Sequence, residues 1–354
     1  MTVAGVCTFV AHPAIGDENN SHRVRLAVPY VKKGLVPSLS HPGGNFGLFK
    51  SQQISGALPK GGNMSLRITI DIFSGRPNPV IDVTGREARQ ILERVKPSER
   101  LRPGDIGAPE HVLGYRGLVI EQVGATQRGL PKIFRVAAGS IYGPKLFHSI
   151  ADPNFERDFS SARGLAARFK VIRGFPSILR REIERLHDIR KHHKDYHHRW
   201  PGKEHCRCAP LYEPAWWNDA GQKQFNNNCY NYATNYRTDT FAQPGRANGA
   251  MYTSLSCASV RPAAIADDLI AAPGANNKCP KEGHLVALVI WPGVDFHWYR
   301  KGRNGYWSHK PGGTPVRNVD NSNHLIPDPR TADRGGYTVF CTFMVVMHGH
   351  VKIN

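Results

Sequence analysis

The stretch "HLVALVIWPGVDFHWYRKGRNGYWSHK", residues 284–310, leaves the backbone few choices. HLVALVI is short, apolar and rich in β-branched side chains, so it reads as a buried strand. WPGV then turns the chain, and DFHWYR returns as a second strand. Side chains alternate across a strand, so His297 and Tyr299 share one face and Phe296 and Trp298 the other. The turn-rich KGRNG leads to a third strand, GYWSHK, which can bring His309 near His297. An antiparallel sheet carrying histidines is therefore the first expectation.

A chain of 354 residues exceeds the usual single domain. Residues 1–63 carry Pro and Gly breaks ("VPSLSHPGGNFG", "ALPKGGN") and no sustained period. From Met64 the pattern changes: "SLRITIDIFSGRPNP" alternates as a first strand should. Two readings of 1–63 stand, a disordered arm or a translated leader ahead of a bacterial start at Met64. Residues 64–157 read as a small α/β unit. Its strands are Leu66–Ile72 and Val80–Val83, with others at Tyr115–Val123 and Ile133–Ala137. Thr84 can cap a helix over 85–95 whose Ala88, Ile91, Leu92 and Val95 share a face. Arg76 and Asn78 in "SGRPNP" could bind a ligand, but a tight turn explains them as well.

Residues 158–210 form a basic, His-rich helical linker, with thirteen Lys and Arg against five Asp and Glu between Arg163 and Arg207. A helix opening at Pro176 has a narrow apolar stripe, Leu179, Ile183, Leu186 and Ile189, and a basic face for solvent. His192, His193, His197, His198, His205, Cys206 and Cys208 crowd its end. Imidazole and thiolate suit zinc, yet this spacing matches no standard zinc motif, so neither metal nor cofactor is assigned.

Lys plus Arg number 47 against 28 Asp plus Glu, a formal charge of +19. That allows attraction to anionic surfaces such as cell wall or acidic proteins. Nucleic acid is disfavoured because no recognised binding motif accompanies the charge. No window approaches the ~20 apolar residues of a membrane span. The start lacks a classical signal, and seven cysteines are few and odd in number, so a reducing cytoplasm is the default, non-classical export aside. Cys257 and Cys279 could pair under oxidation, but packing is preferred for both, and Cys341 reads as core.

The densest chemistry lies in 211–354. In "FNNNCYNYATNYRTDTFAQPG", Asn227 or Asn228 can cap a helix that puts Cys229 in its first turn. A helix start stabilises thiolate, and its amides or an Asn side chain can hold an oxyanion. Cysteine at a helix start followed by a histidine-bearing antiparallel sheet resembles the papain-like superfamily, in particular bacterial amidases and peptidases of the NlpC and CHAP kinds. That resemblance covers about 211–347. It implies an α+β fold, the small α/β domain followed by a papain-like domain whose Cys-bearing helix packs on an antiparallel sheet. It also implies a cysteine peptidase or amidase cleaving an amide in a peptide or cell-wall peptide. Cys229 would attack, His297 serve as base, and His309 or Asp320 orient it. In a rival assignment, His284, leading its strand, is the base and His297 the orienter. Asn228, Asn227 or the helix amides would steady the oxyanion, while Trp298, Tyr299, Trp307 and Lys310 contact substrate. From another class comes a non-catalytic binding or toxin-associated module, with Trp216, Trp217, Trp298, Tyr299 and Trp307 lining a recognition groove. A zinc enzyme built on the His-rich segment is a third reading.

Overall fold

The computed structural model describes residues 64–101, 109–144, 146–169, 172–191 and 206–354. The expected leader or arm, 1–63, and the histidines 192–205 lie outside the described residues. The fold is mixed α/β, with two antiparallel sheets and few helices.

The alternation from Ser65 becomes the first sheet. It contains β1 (Ser65–Asp71), β2 (Val80–Thr84), β3 (Pro97–Arg100), β4 (Gly117–Val123), β5 (Ile133–Ala137), β6 (Ser140–Gly143) and β7 (Leu146–Ile150), in the order β2-β1-β4-β5-β6-β7-β3. Leu66, Ile68 and Ile70 point from β1 into the core, while Arg67 stays on the outer face opposite Asp82 of β2. Helix α1 (Gly85–Arg94) buries Ala88, Ile91 and Leu92, as its spacing requires. Thr84 is its N-cap residue but makes no side-chain cap bond. β5 and β6 join through Ala138 (φ 46°) and Gly139 (φ 72°), a two-residue turn whose left-handed pair matches strand twist. β3, β6 and β7, four or five residues each, were not expected from sequence.

Asp71, at the end of β1, gathers this sheet. Its carboxylate accepts from the Arg116 Nη2 at 2.6 Å, the Arg135 Nη1 at 2.8 Å and the Asn78 amide at 3.0 Å. Burial pushes this carboxyl up, but Arg116 and Arg135 outweigh it and hold it well below the usual carboxylate range. Arg116 also donates to the Phe73 carbonyl at 2.6 Å, fixing the loop that leaves β1.

After the 5-residue α2 (Phe155–Phe159), α3 (Phe175–Lys191) buries Leu179, Ile183 and Leu186. α4 (Pro214–Trp217), α5 (Gln222–Asn226), α6 (Cys229–Thr234) and α7 (Cys257–Ala266) then lead into the second sheet. It holds β8 (Ile270–Ala271), β9 (His284–Trp291), β10 (Asp295–Lys301), β11 (Trp307–His309) and β12 (Val339–Val346), in the order β11-β10-β9-β12-β8. The expected hairpin is present, with His297 opposite Val289 and Tyr299 opposite His309.

The two sheets share one apolar core that runs from Leu66 and Ile68 of β1 to Leu285, Tyr299 and Phe343 of the second sheet. Polar ties cross the same junction. Asn321 accepts from the Leu113 N–H at 2.7 Å and donates to its carbonyl at 3.2 Å. The Asp295 carboxylate accepts from the backbone of Ser74 at 2.5 Å, Gly75 at 3.1 Å and Arg76 at 3.2 Å, and from the Tyr337 hydroxyl at 2.6 Å. A Cβ on Gly75 would lie 2.4 Å from the Phe296 ring, so only glycine allows this approach.

The cysteine expectations need correction. Cys257 pairs with Cys341, clamping α7 to β12 where a bulge between Phe340 and Thr342 re-aims the strand. Cys206 pairs with Cys279, and Cys208 is disulfide-bonded as well. Closing loops of 73 and 84 residues constrains the unfolded chain by about 4 kcal/mol per bond.

Removing the Asp71 carboxylate leaves Arg116 buried without its counter-charge. Asp71→Ala should therefore destabilise by ~3–5 kcal/mol in chemical denaturation, whereas Asp82→Ala, at an exposed pair, should change stability by less than ~1 kcal/mol. Because the folded Asp71 pKa is depressed, its contribution is full above the unfolded carboxylate range. It should fade as pH falls below ~4, so the wild-type protein loses stability there more steeply than Asp71→Asn.

Candidate functional site

Asn228 caps α6. Its Oδ1 accepts from the N–H groups of Tyr230 at 3.0 Å and Asn231 at 3.1 Å, and the Asn231 side chain returns a bond to the Asn228 N–H at 3.1 Å. This reciprocal box sets the entry of α6. The Asn228 amide donates to the carbonyls of Gly75 at 2.8 Å and Ala242 at 2.7 Å. Asn227 is equally committed, giving protons to Lys223 O and Asp239 Oδ1 and accepting from the N–H groups of Thr238 and Asp239. Neither amide is free to hold an oxyanion.

Cys229 is fully buried where α6 meets β10. Burial pushes its thiol pKa up, and the Asp295 charge adds to the effect. The Trp298 N–H and the Ser74 hydroxyl only partly oppose this. The expected thiolate at the helix start is thus corrected to a thiol, because desolvation outweighs what one helical turn can supply.

The group next to the thiol is Ser74, in the loop after β1, which sequence reasoning did not select. Its Oγ lies 2.5 Å from His297 Nδ1; His297 Nε2 lies 3.0 Å from His309 Nδ1, and His309 Nε2 lies 3.0 Å from the Val319 carbonyl. Burial lowers the His309 pKa to about 4 and takes His297 well below its ordinary value, so both rings are neutral near pH 7. A carbonyl can only accept, so His309 carries its proton on Nε2 and accepts at Nδ1. His297 must then donate from Nε2 and accept at Nδ1 from Ser74 O–H. The proton positions along Ser74, His297 and His309 all follow from the carbonyl at the far end.

His309 therefore does adjoin His297, but Ser74 stands between His297 and the thiol. Asp320 is not the orienter; it accepts from the N–H groups of Ser322, His324 and Asp333 and shapes its own loop. His284 Nε2 instead bonds the Ala233 carbonyl at 2.7 Å, and burial lowers its pKa to about 3. Trp298, Tyr299, Trp307 and Lys310 are fully buried and line no open groove. Tyr299 stacks on His309 with centroids 5.0 Å apart, and Trp307 Nε1 donates to Asn277 at 2.8 Å. Lys310 Nζ donates to the carbonyls of Gln224 at 2.5 Å, Asn227 at 2.6 Å and Gly312 at 2.7 Å, three acceptors for the three protons of an ammonium. Burial draws the Lys310 pKa down to about 7. Trp217 is buried against Tyr232, whereas Trp216 is exposed and stacks on Arg237, its guanidinium 3.7 Å from the ring centroid. Among the described residues no cluster of His, Cys, Asp or Glu could hold a metal ion.

No family model matches this chain, and no solved structure does. Over 142 residues it is 49% identical to insoluble matrix shell protein 1 of Ruditapes philippinarum, an alignment covering 91% of that protein and 39% of this chain. The chain belongs to the family of that matrix shell protein. Membership corrects the expected bacterial origin and the peptidase-like family placement, since the relative is a mollusc shell protein. It leaves the hydrolase label unsupported. The cytoplasmic default is corrected too: the relative is named for an insoluble shell matrix, and cysteines expected to be reduced are paired.

Iodoacetamide should leave Cys229 unmodified in the native protein even near the ordinary thiol pKa of ~8.5, and should label it once denaturant opens the fold, as read by intact mass. Ser74→Ala leaves the buried His297 Nδ1 without its partner, so it should lower stability by ~1–3 kcal/mol in a denaturant titration.

Proposed function

We propose that this chain is a secreted, non-catalytic matrix protein whose cationic exterior binds anionic matrix polymers, while Cys229, Ser74, His297 and His309 form a structural polar core. The observation that carries this reading is burial: all four residues have no exposed surface. Attack on an amide requires the carbonyl carbon to come within ~3–3.5 Å of sulfur. A closed site, a protonated thiol and committed cap amides all weigh against that chemistry. Recognition is then left to charge, since the aromatic residues expected to form a groove are largely interior. The formal charge of +19 supplies it.

The family supports the same reading, because its mollusc member is named as an insoluble matrix component. Disulfides that clamp α7 to β12 and join Cys206 to Cys279 suit an oxidising exterior. Among the described residues no helix is long and apolar enough to cross a membrane. The finer, papain-like description of the fold draws support from one feature, the packing of α6 against β10.

The test is co-sedimentation of the full chain with beads bearing a carboxylated or sulfated polysaccharide, against neutral beads. Retention should be selective for the anionic beads and lost in ~1 M salt, where the Debye length is ~3 Å. Cys229→Ala should bind as the wild type does. A folded protein that ignores the anionic beads, or hydrolyses an amide in a Cys229-dependent way, would end this reading.

A further inference from the structure

A groove of about 710 Å³ runs between α1 and the segment 155–168. Ile91, Phe155, Phe159 and Leu165 give it an apolar lining, and Arg86, Arg89 and Arg163 stand on its rim with exposed side chains. The carboxylates of the groove are already matched. Glu87 takes Arg168 at 2.5 Å, Asp158 takes Arg94 at 2.6 Å, and Glu93 takes Lys96. Among the described residues, no hydrogen bond, ion pair or ring contact engages the side chains of Arg86, Arg89 or Arg163.

Arg86 and Arg89 are three residues apart on α1, so their Cβ atoms are ~5–6 Å from each other and both forks reach the same edge. Arg163 contributes a third from the other wall. A guanidinium fork binds a carboxylate bidentately, which makes uncommitted arginines beside a groove a receptor for anions. The volume falls within the range typical of ligand sites.

We propose that this groove docks an acidic peptide segment of a partner protein, its apolar side chains entering the groove and its flanking carboxylates taking the three arginines. This rests on the reading of the chain as a binder of anionic matrix. The lining decides between anionic partners. A sulfated polysaccharide would satisfy the arginines but brings no apolar side chains for Ile91 and Leu165, whereas an acidic peptide supplies both.

The experiment measures fluorescence anisotropy of a labelled peptide alternating aspartate with leucine, titrated with the full chain. The variant Arg86→Gln/Arg89→Gln/Arg163→Gln is compared with Arg261→Gln/Lys278→Gln/Lys352→Gln, which removes the same charge from exposed positions elsewhere. The groove variant should bind roughly tenfold more weakly, as three exposed pairs of modest strength allow, and the distant variant should bind like the wild type. Leu165→Asp should also weaken the peptide, and an asparagine–leucine peptide should not bind. Equal weakening by both triple variants would overturn the groove, as would a groove effect confined to a sulfated polysaccharide. Continued retention of the groove variant on anionic beads, with peptide affinity unchanged, overturns the groove and leaves the matrix reading standing. A wild-type chain that binds neither beads nor peptide removes both.

Discussion

One carboxylate joins the halves of this molecule. Asp295 opens β10 in the second sheet, yet most of its hydrogen bonds come from elsewhere, namely the backbone of Ser74, Gly75 and Arg76 in the loop after β1 and the hydroxyl of Tyr337. Every one of those groups donates, so the arrangement fits the ionised form. Burial pushes the Asp295 carboxyl up, and these donors hold it back. A loop gripped in this way cannot shift without baring a buried charge, which is why Gly75 must lie against Phe296 and why Ser74 reaches His297.

The same loop closes the candidate site. Gly75 O receives the Asn228 amide from the cap of α6 and the Gln243 amide from the segment beyond it. The loop that joins the sheets is thus also tied to the cap of α6, the residue before the buried Cys229. A buried polar chain with each donor matched to an acceptor specifies one packing, since any slip strands several groups at once. The order cysteine, histidine, histidine was real along the chain, but it describes a polar core as readily as a catalytic line. Accessibility separates the two, and here it favours the core.

The strands around His297 and His309 were legible because period-two alternation and a Pro-Gly turn are local signals. The return of a third strand that brings His309 near His297 followed from the turn-rich KGRNG, whereas the register that sets Tyr299 opposite His309 did not. Asn228 was legible as a cap for the same reason. Ser74 was not, because nothing within "SGRPNP" announces a partner 223 positions away. The disulfide of Cys257 with Cys341, rather than with Cys279, depends on which strand lies over α7, and no spacing rule reports that.

The sequence by itself determined the elements: the alternating β1, the amphipathic stripes of α1 and α3, the β9–β10 hairpin and the surplus of cationic charge. These depend on neighbours a few residues apart and on totals. Only the tertiary structure decided that Cys229 is a sealed thiol, that Ser74 stands before His297, that Asp320 serves its own loop and that the expected groove aromatics are mostly interior. Those outcomes depend on desolvation and on contacts between segments far apart in the chain. The free energy of a buried charge or thiol is set by what surrounds it in space, and that surrounding exists only once the two sheets have met.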